Sequence, residues 1–300
     1  MKIILIGLGD IAQKAYLPIV SCIENIELGI CTRNAILRNS LSKRYKANEV
    51  FTNYRDAIES CPDAIMIHSS TDSHFEIALA GLNAGIAVFI DKPVSYDIKQ
   101  TEELLAISEQ KNTPLMIGFN RRYAPLYQAP LNAQAIQLRY QKNRHNLPGK
   151  IREFIYDDFI HILDFALCAS KPLELPTLNI FNRMKAGEIE LLDVYWEHNG
   201  AHYAISMNRI NGKEEERLEY MAENEKWEIN QLSEGFKHMA ECSSKITFGN
   251  WESTLYKRGF VTMVNKFISL VESKQHDSEM NHQVWQTHRL CEDIVDHISP

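Results

Sequence analysis

A lysine directly after a short apolar segment has the type and the position that acid–base chemistry requires. The motif Asp91-Lys92-Pro93 follows residues 87–90, which we predict to be a buried strand. Open α/β sheets bind their ligands beyond the carboxyl ends of their strands, so Lys92 is delivered to that edge. A lysine amine there can hydrogen-bond a substrate oxygen and transfer its proton. In isolation, an exposed lysine after a strand remains the simpler interpretation.

Asp157 and His161 form the second candidate for proton transfer. They are four positions apart in residues 154–168, which we predict to be helical, so they share one helix face with Asp164. A histidine flanked by carboxylates on an apolar helix is either a proton-transfer unit or a histidine satisfied within the core. The helix alone favours the core interpretation, whereas Lys92 and the loop described next favour proton transfer. The spacing also suits a metal, but no other ligand cluster accompanies it, and we predict no metal site.

A glycine-rich loop lies at the start of the chain. Gly7-Leu8-Gly9-Asp10-Ile11-Ala12 joins a predicted strand to a predicted helix in the G-x-G-x-x-A pattern. One glycine permits the tight turn, the next lets the backbone approach a pyrophosphate, and the alanine allows close helix–strand packing. The helix N-terminus supplies free N–H groups for phosphates. We therefore predict dinucleotide binding, with cofactor contacts at Gly7, Gly9, Asp10, Ile11 and Ala12.

The end of the second predicted strand bears on the choice of cofactor. An acidic residue usually stands there to bind the ribose 2′-hydroxyl, but Gly29-Ile30-Cys31-Thr32-Arg33-Asn34 has no carboxylate. Thr32 and Arg33 suit a 2′-phosphate instead, and Arg38 or Lys43 would add charge. These residues favour NADP(H), with NAD(H) as the alternative; a solvated helix start is the plainer explanation of the cations.

A polar segment follows the last predicted parallel strand. In Gly118-Phe119-Asn120-Arg121-Arg122-Tyr123, we predict that Asn120, Arg121 and Tyr123 hold the substrate, while the other arginine is structural. His74, after Ser69-Ser70-Thr71-Asp72, has the position of a helix-start residue rather than a catalyst, and His68 receives no role.

The predicted elements explain how these residues are positioned. Short apolar segments alternate with amphipathic ones over the first 120 residues, which predicts a parallel, doubly wound sheet. The later segments have strand patterning that favours a mainly antiparallel open sheet. We predict a Rossmann domain at 1–120 and a C-terminal α+β domain at 121–300, whose last helices can pack back on the first domain. The predicted strands are 3–7, 26–31, 64–68, 87–90 and 115–118, then 135–141, 177–184, 189–196, 201–209, 215–222 and 226–231; the predicted helices are 11–22, 34–45, 73–83, 97–111, 154–168, 253–272 and 279–298.

Composition excludes several classes of protein. Of 300 residues, 45% are hydrophobic and 24% are charged, which is typical of a globular chain with a sizeable core rather than a disordered one. The net charge of −7 and the absence of a basic tail argue against a nucleic-acid partner. No apolar run approaches the roughly 20 residues of a membrane helix, and the six cysteines are scattered without a C-x-x-C pair. We expect a cytoplasmic protein with a small-molecule substrate and no membrane partner.

These motifs, in this order, resemble the Gfo/Idh/MocA family of NAD(P)-dependent oxidoreductases. The matching residues are the loop at 7–12, His74 with Ala84-Gly85, Asp91-Lys92-Pro93, the segment 118–123, and Asp157 with His161. The chain is most similar to the bacterial virulence-factor MviM-like branch of the family, through residues 11–15, 68–71, 91–93, 118–126, Asp157-Asp158 with His161, and 253–261. The resemblance spans nearly the whole chain.

The resemblance implies a function and a set of site residues. It places Lys92, Asp157 and His161 at the family's catalytic lysine, aspartate and histidine. Hydride would move between the nicotinamide and a carbinol or carbonyl carbon of a sugar, cyclitol or related molecule. The cofactor contacts would extend to Ser69, His74, Asp91, Lys92 and Pro93, and the open sheet would form the interface of a homodimer or homotetramer.

Three departures from the family pattern qualify these expectations. Asp91 stands where glutamate is usual, Lys150-Ile151-Arg152-Glu153-Phe154 replaces a glycine-rich lead-in, and Phe159 stands where glycine is common. The last two are expected to narrow or reshape the substrate pocket. Two other functions compete: a nucleotide-binding sensor or scaffold without catalysis, and an enzyme that uses a bound cofactor transiently.

Overall fold

The computed structural model describes residues 1–299 and divides them into two compact units. The first comprises residues 1–118 and 260–285, and the second comprises residues 119–259 and 286–299. The chain passes from the first unit to the second after Gly118, close to the boundary that we predicted after residue 120. The first unit also takes in a helical segment from near the end of the chain.

The first unit is built on a six-stranded parallel sheet with the order β3-β2-β1-β4-β5-β6. β4 and β5 are buried at every residue, as expected for parallel strands covered on both faces. The predicted doubly wound sheet is confirmed, and its strand order reverses between β1 and β4, where such sheets bind ligands. The strands are β1 (Lys2–Ile6), β2 (Glu27–Cys31), β3 (Glu49–Phe51), β4 (Ala64–Ile67), β5 (Ala87–Ile90) and β6 (Leu115–Ile117).

The helices of the first unit begin with an irregular one. The structure has a wide π-type turn at Ala12–Tyr16 followed by α1 (Leu17–Val20), where we predicted one regular helix. Pro18 cannot donate a hydrogen bond to the carbonyl four residues back, and the preceding Leu17 N–H donates to the Ala12 carbonyl instead. The other helices are α2 (Ala35–Tyr45), α3 (Tyr54–Glu59), α4 (His74–Asn83) and α5 (Ile98–Gln110).

The second unit contains an eight-stranded sheet with the order β14-β13-β12-β11-β7-β10-β9-β8. β7 and β10 run parallel, and every other neighbouring pair is antiparallel, which confirms the predicted mainly antiparallel sheet. Burial alternates strictly along β10, so one face of the sheet is covered and the other is open. The strands are β7 (Gln137–Asn143), β8 (Asn179–Lys185), β9 (Glu188–His198), β10 (Ala201–Asn208), β11 (Glu215–Ala222), β12 (Glu225–Asn230), β13 (Glu234–Met239) and β14 (Cys242–Thr247).

The predicted helix at 154–168 is longer than expected and is interrupted. A π-type turn at Ile155–Phe159 separates α7 (Ile151–Phe154) from α8 (Ile160–Ser170), which packs on β7 and β10. Such π-type turns within helices are frequent at functional sites. The shorter helices of this unit are α6 (Pro125–Leu131) and α9 (Thr254–Lys257).

The helix predicted at 253–272 breaks at Gly259. This glycine has φ +81°, and a Cβ on it would lie 2.4 Å from the Asn120 carbonyl oxygen, so the chain turns there. The following α10 (Phe260–Ser273) belongs to the first unit, where Phe267 lies edge-on to Phe89 with ring centroids 5.4 Å apart. The last helix is α11 (Ser278–Ile298). No helix of the described residues has the length and apolar character needed to span a membrane.

Candidate active site

Gly7 and Gly9 serve different purposes in the turn after β1. Gly7 has φ +86°, and a Cβ on it would lie 2.4 Å from the Ser69 backbone nitrogen, so only glycine fits this close approach. At Gly9 the nearest atom to an added Cβ is the His68 carbonyl oxygen, 4.0 Å away. The protein itself therefore tolerates a side chain at position 9. The missing Cβ there leaves room for a ligand.

A cavity of about 960 Å³ opens in front of this turn, at the carboxyl edge of the parallel sheet. Its volume lies at the upper end of the range for small-molecule sites, roughly 300–1,000 Å³. Seven residues that we predicted to contact a cofactor share its wall: Gly7, Gly9, Asp10, Ile11, Thr32, Arg33 and Ser69. Ala12 is buried beneath the turn, where its small side chain permits the predicted close packing.

One side of the cavity was missed by the sequence analysis. Thr52, Asn53 and Tyr54 come from the junction of β3 and α3, and the Tyr54 hydroxyl hydrogen-bonds the Glu76 carboxylate across the wall. β3 has only three residues and none of them is buried, so it carries little hydrophobic signal. The available signal was Asn53, whose Oδ1 caps α3 by accepting from the Asp56 N–H at 3.0 Å.

The cations near the end of β2 have separate roles. Arg33 is exposed on the cavity wall beside Thr32. The Arg38 guanidinium instead donates to the Thr32 carbonyl at 2.9 Å, and Lys43 is exposed on α2. Neither Arg38 nor Lys43 belongs to the residues that line the cavity. Arg33 is therefore the cation best placed for a 2′-phosphate.

The turn at Lys92 follows β5, and the side chain of Asp91 stabilises it. The Asp91 carboxylate accepts the Lys92 backbone N–H at 3.0 Å and the Tyr16 hydroxyl at 3.3 Å. Burial raises the pKa of Asp91, and the charges of Lys92 and His74 oppose that rise. The Lys92–Pro93 peptide bond is cis. A Cβ on Gly118 would lie 3.0 Å from both Asp91 Oδ1 and the Tyr16 hydroxyl, so this support is closely packed.

His74 joins the cavity wall to the Lys92 turn. Its Nδ1 lies 2.9 Å from the Pro93 carbonyl oxygen, and its Nε2 lies 3.0 Å from the Ser69 carbonyl oxygen. The ring is buried at the start of α4, with both nitrogens occupied by backbone. Sequence analysis recognised the helix start but not this bridge, because it depends on residues 5 and 19 positions away. His74 thus positions the site rather than facing a ligand.

In the second unit, Asp157 and His161 share one partly exposed face. From residue 154 to residue 167, every residue except these two is buried. This burial pattern excludes the fully enclosed core histidine that the helix alone favoured. The structure brings the two side chains to the same surface, as the spacing predicted, although a π-type turn lies between them.

The neighbouring carboxylates belong to the core. Asp164, which we expected on the same face as His161, is completely buried, and its Oδ2 accepts from Arg122 Nε at 2.7 Å. Asp158 forms ion pairs with Lys142, Arg144 and Arg209. Burial would raise the pKa of Asp158, but Lys142 and Arg144 lower it well below the usual range. Of the three aspartates between residues 154 and 168, only Asp157 reaches the partly exposed face.

The predicted substrate residues near position 120 are engaged elsewhere. Arg121 donates from Nε and Nη2 to Glu216 at 3.0 and 3.1 Å and from Nη1 to the Asn120 side-chain oxygen at 3.0 Å. Asn120 in turn donates to the Arg258 carbonyl at 2.8 Å. Both side chains are buried, so the expectation that they hold the substrate is corrected: they anchor the turn Asn120–Tyr123. Tyr123 is partly exposed and remains a predicted substrate contact.

Phe159 and the potential metal ligands are the last of the predicted features. Phe159 is fully buried, with its ring 6.5 Å from that of Phe154, so it fills the core and does not narrow a pocket. Among residues 1–299, no group of three or more potential ligands is arranged to hold a metal ion. The predicted catalytic set draws Lys92 from the first unit and Asp157 with His161 from the second.

Comparison with known proteins gives the family. Residues 1–119 match the family model described as an oxidoreductase family with an NAD-binding Rossmann fold. A Gfo/Idh/MocA family oxidoreductase from Vibrio cholerae has 33% sequence identity and a TM-score of 0.94, with all of both chains covered. The dehydrogenase MviM from Clostridium difficile has 28% identity and a TM-score of 0.92, with 99% of each chain covered.

A shorter match concerns an enzyme of named activity. Inositol 2-dehydrogenase from Rhizobium meliloti is 36% identical over 76 residues, which cover 25% of this chain and 23% of that protein. The resemblance stated from the sequence motifs is confirmed, including the likeness to an MviM protein, and the first unit is an NAD(P)-binding Rossmann fold. The chain belongs to the Gfo/Idh/MocA family of oxidoreductases.

Proposed function

We propose that this protein is an NADP(H)-preferring oxidoreductase that acts on the CH–OH group of a sugar, cyclitol or related small molecule. The observation that carries the proposal is the bridge made by His74. It ties Ser69 on the wall of the 960 Å³ cavity to Pro93, the residue next to Lys92. A dinucleotide site and a candidate acid–base group are thereby held together within one unit.

The residues that line the cavity suit a dinucleotide. Gly9 leaves space where a pyrophosphate approaches, and the following helix begins with free N–H groups. Arg33 and Thr32 at the end of β2 suit a 2′-phosphate, because an arginine can donate two charge-assisted hydrogen bonds to a phosphate. When bound, the nicotinamide accepts or supplies the hydride.

Acid–base roles go to Lys92, His161 and Asp157. In the oxidation direction, one of the pair Lys92 and His161 accepts the single hydroxyl proton as hydride leaves the carbinol carbon. Asp157, on the same partly exposed face as His161, orients its ring or binds a neighbouring hydroxyl. A polyhydroxylated substrate is supported by the partial match to inositol 2-dehydrogenase, since adjacent hydroxyls give such a carboxylate a partner.

The first experiment is a titration of the nucleotide-free protein with NADPH and with NADH, followed by nicotinamide fluorescence. Tighter binding of NADPH supports the roles given to Thr32 and Arg33, and a panel of sugars and cyclitols is then screened with that cofactor. Tighter binding of NADH contradicts the 2′-phosphate assignment alone. Binding without turnover on the whole panel favours a nucleotide-binding sensor, and product formation without net change in NADPH absorbance favours transient cofactor use.

Self-association through the open face of the second unit's sheet completes the proposal. Tyr195 on β9 and Phe236 on β13 lie in one cross-strand row of this face, and their side chains are 46% and 44% exposed. The residues between them in the row include Arg139, Glu219 and Glu228. Two aromatic side chains that flank residues of mixed charge suit a two-fold contact between two copies of this surface. Sedimentation velocity would show a dimer or tetramer, and Tyr195→Glu should shift it toward monomer.

A further inference from the structure

His68 is a buried polar side chain that none of the roles described above uses. It follows β4, beside the point where the strand order of the sheet reverses, and its residue lines the cavity. Only 4% of its surface is exposed. The imidazole stacks on the ring of Tyr16, with centroids 3.9 Å apart and planes inclined by 26°.

Neither ring nitrogen of His68 has a hydrogen-bond partner among the described residues. Buried polar atoms are nearly always paired, and an unpaired one is costly. Burial, reinforced by the nearby charge of His74, lowers the pKa of His68 to about 3, so the ring is neutral and offers one donor and one acceptor. His74, by contrast, has both nitrogens occupied by carbonyl oxygens. A buried imidazole without partners, in a residue that lines the cavity, points to a partner that arrives with the ligand.

The location of His68 indicates which part of the ligand supplies this hydrogen-bond partner. The far side of the cavity is formed by residues that follow β2 and β3, including Arg33 and Tyr54, whereas His68 follows β4, the neighbour of the strand that ends at Lys92. A dinucleotide lies across such a reversal point with one nucleotide on each side. With the 2′-phosphate at Arg33, the nicotinamide nucleotide falls on the side of His68.

We propose that His68 is a positioning residue for the cofactor, whose neutral imidazole hydrogen-bonds an oxygen of the nicotinamide nucleotide. The stack on Tyr16 fixes the plane of the ring, and the Tyr16 hydroxyl donates to Asp91, the residue that supports the Lys92 turn. Tyr16 thus connects the residue that binds the nicotinamide half of the cofactor to the turn that carries Lys92. This inference rests on the proposed function, because it takes NADP(H) as the ligand.

The test compares two ligands on His68→Phe, which keeps an aromatic ring against Tyr16 and removes both nitrogens. Affinity for NADPH should fall about 5- to 30-fold, because the cofactor oxygen would be left buried without its partner. Affinity for adenosine 2′,5′-bisphosphate, which lacks the nicotinamide nucleotide, should stay within about twofold because its contacts are unchanged. His68→Gln, which offers an amide donor and acceptor, should bind NADPH more tightly than His68→Phe.

Each remaining outcome overturns one specific statement. Equal NADPH affinity in His68→Phe and in the wild type overturns the positioning role, and so does an equal loss for both ligands, since that reports a disturbed cavity. If His68→Phe does not fold, the ring-nitrogen NMR signals of wild-type His68 decide. A shift of these signals on adding NADP supports the hydrogen bond, and unchanged signals overturn the positioning role. A wild-type protein that binds neither NADPH nor NADH refutes the proposed function itself.

Discussion

Gly7 and Ser69 approach so closely that a Cβ on Gly7 would lie 2.4 Å from the Ser69 backbone nitrogen, whereas a Cβ on Gly9 would meet nothing nearer than 4.0 Å. The contact joins the ends of β1 and β4, at the reversal point of the sheet. The two glycines of the motif are therefore separable by experiment, because one is required by the fold and the other by the ligand.

Gly7→Ala should lower the free energy of unfolding by about 2 kcal/mol or more, since it adds a clash to left-handed strain. Gly9→Ala should leave the unfolding free energy within about 0.5 kcal/mol of the wild type, yet weaken NADPH binding by about tenfold or more through lost approach to the pyrophosphate. Urea unfolding and nicotinamide fluorescence measure the two effects. Gly85→Ala is the control for backbone strain without a clash, since Gly85 has φ +72° with no atom within 4 Å of its Cβ position. Unchanged NADPH binding by Gly9→Ala would refute the ligand role.

The features that the sequence predicted correctly depend on residues that are close together in the chain. β4 and β5 are continuous apolar runs, as is β1 after Lys2, and the partly exposed face shared by Asp157 and His161 follows from their spacing. The partners of Asn120 and Arg121 did not follow, because Arg258 and Glu216 lie 138 and 95 residues away. The absence of partners for the buried ring nitrogens of His68 among the described residues did not follow from the sequence either. A side chain's type shows that it needs a partner, but only the fold shows whether the protein supplies one.

Lys92→Met should leave NADPH affinity nearly unchanged and reduce turnover by about two to four orders of magnitude, the range for lost acid–base catalysis. The support of the turn comes from the backbone N–H of Lys92 and from Asp91, so the substitution keeps it. Stopped-flow absorbance with the best substrate of the panel measures the effect. Lys99→Met, an exposed lysine in α5, is the matched control and should be fully active. Normal turnover by Lys92→Met would exclude it as the proton-transfer group.

Arg33→Ala should weaken NADPH binding by about 10- to 100-fold, the value of a charge-assisted contact, while NADH affinity stays within about twofold. Arg33 lies on the cavity wall, whereas Lys43 of α2 does not, so Lys43→Ala serves as the control for loss of a positive charge. Fluorescence titration at several salt concentrations separates direct contact from general charge attraction. A parallel loss for both cofactors would show that Arg33 does not read the 2′-phosphate.

The buried pair of Glu216 and Arg121 should make the fold sensitive to acid. Burial would raise the pKa of Glu216, but the charges of Arg121 and Lys142 outweigh it and lower that pKa from 4.5 to about 2. Because the unfolded chain then takes up the proton first, the stabilisation is complete well above pH 4.5 and is lost as the pH falls from 4.5 toward 2. Glu216→Gln leaves Arg121 buried without its charge partner, which costs about 3–5 kcal/mol at neutral pH.

Urea unfolding of the wild type and of Glu216→Gln, at pH 7 and at pH 3, tests this linkage. The difference in unfolding free energy between them should shrink by about 2 kcal/mol at the lower pH, because the wild type alone loses the stabilisation. Glu241→Gln, at an exposed position, should match the wild type at both pH values. A difference that does not change with pH would mean that the carboxylate of Glu216 keeps an ordinary pKa, and that Arg121 is held by hydrogen bonding rather than by charge.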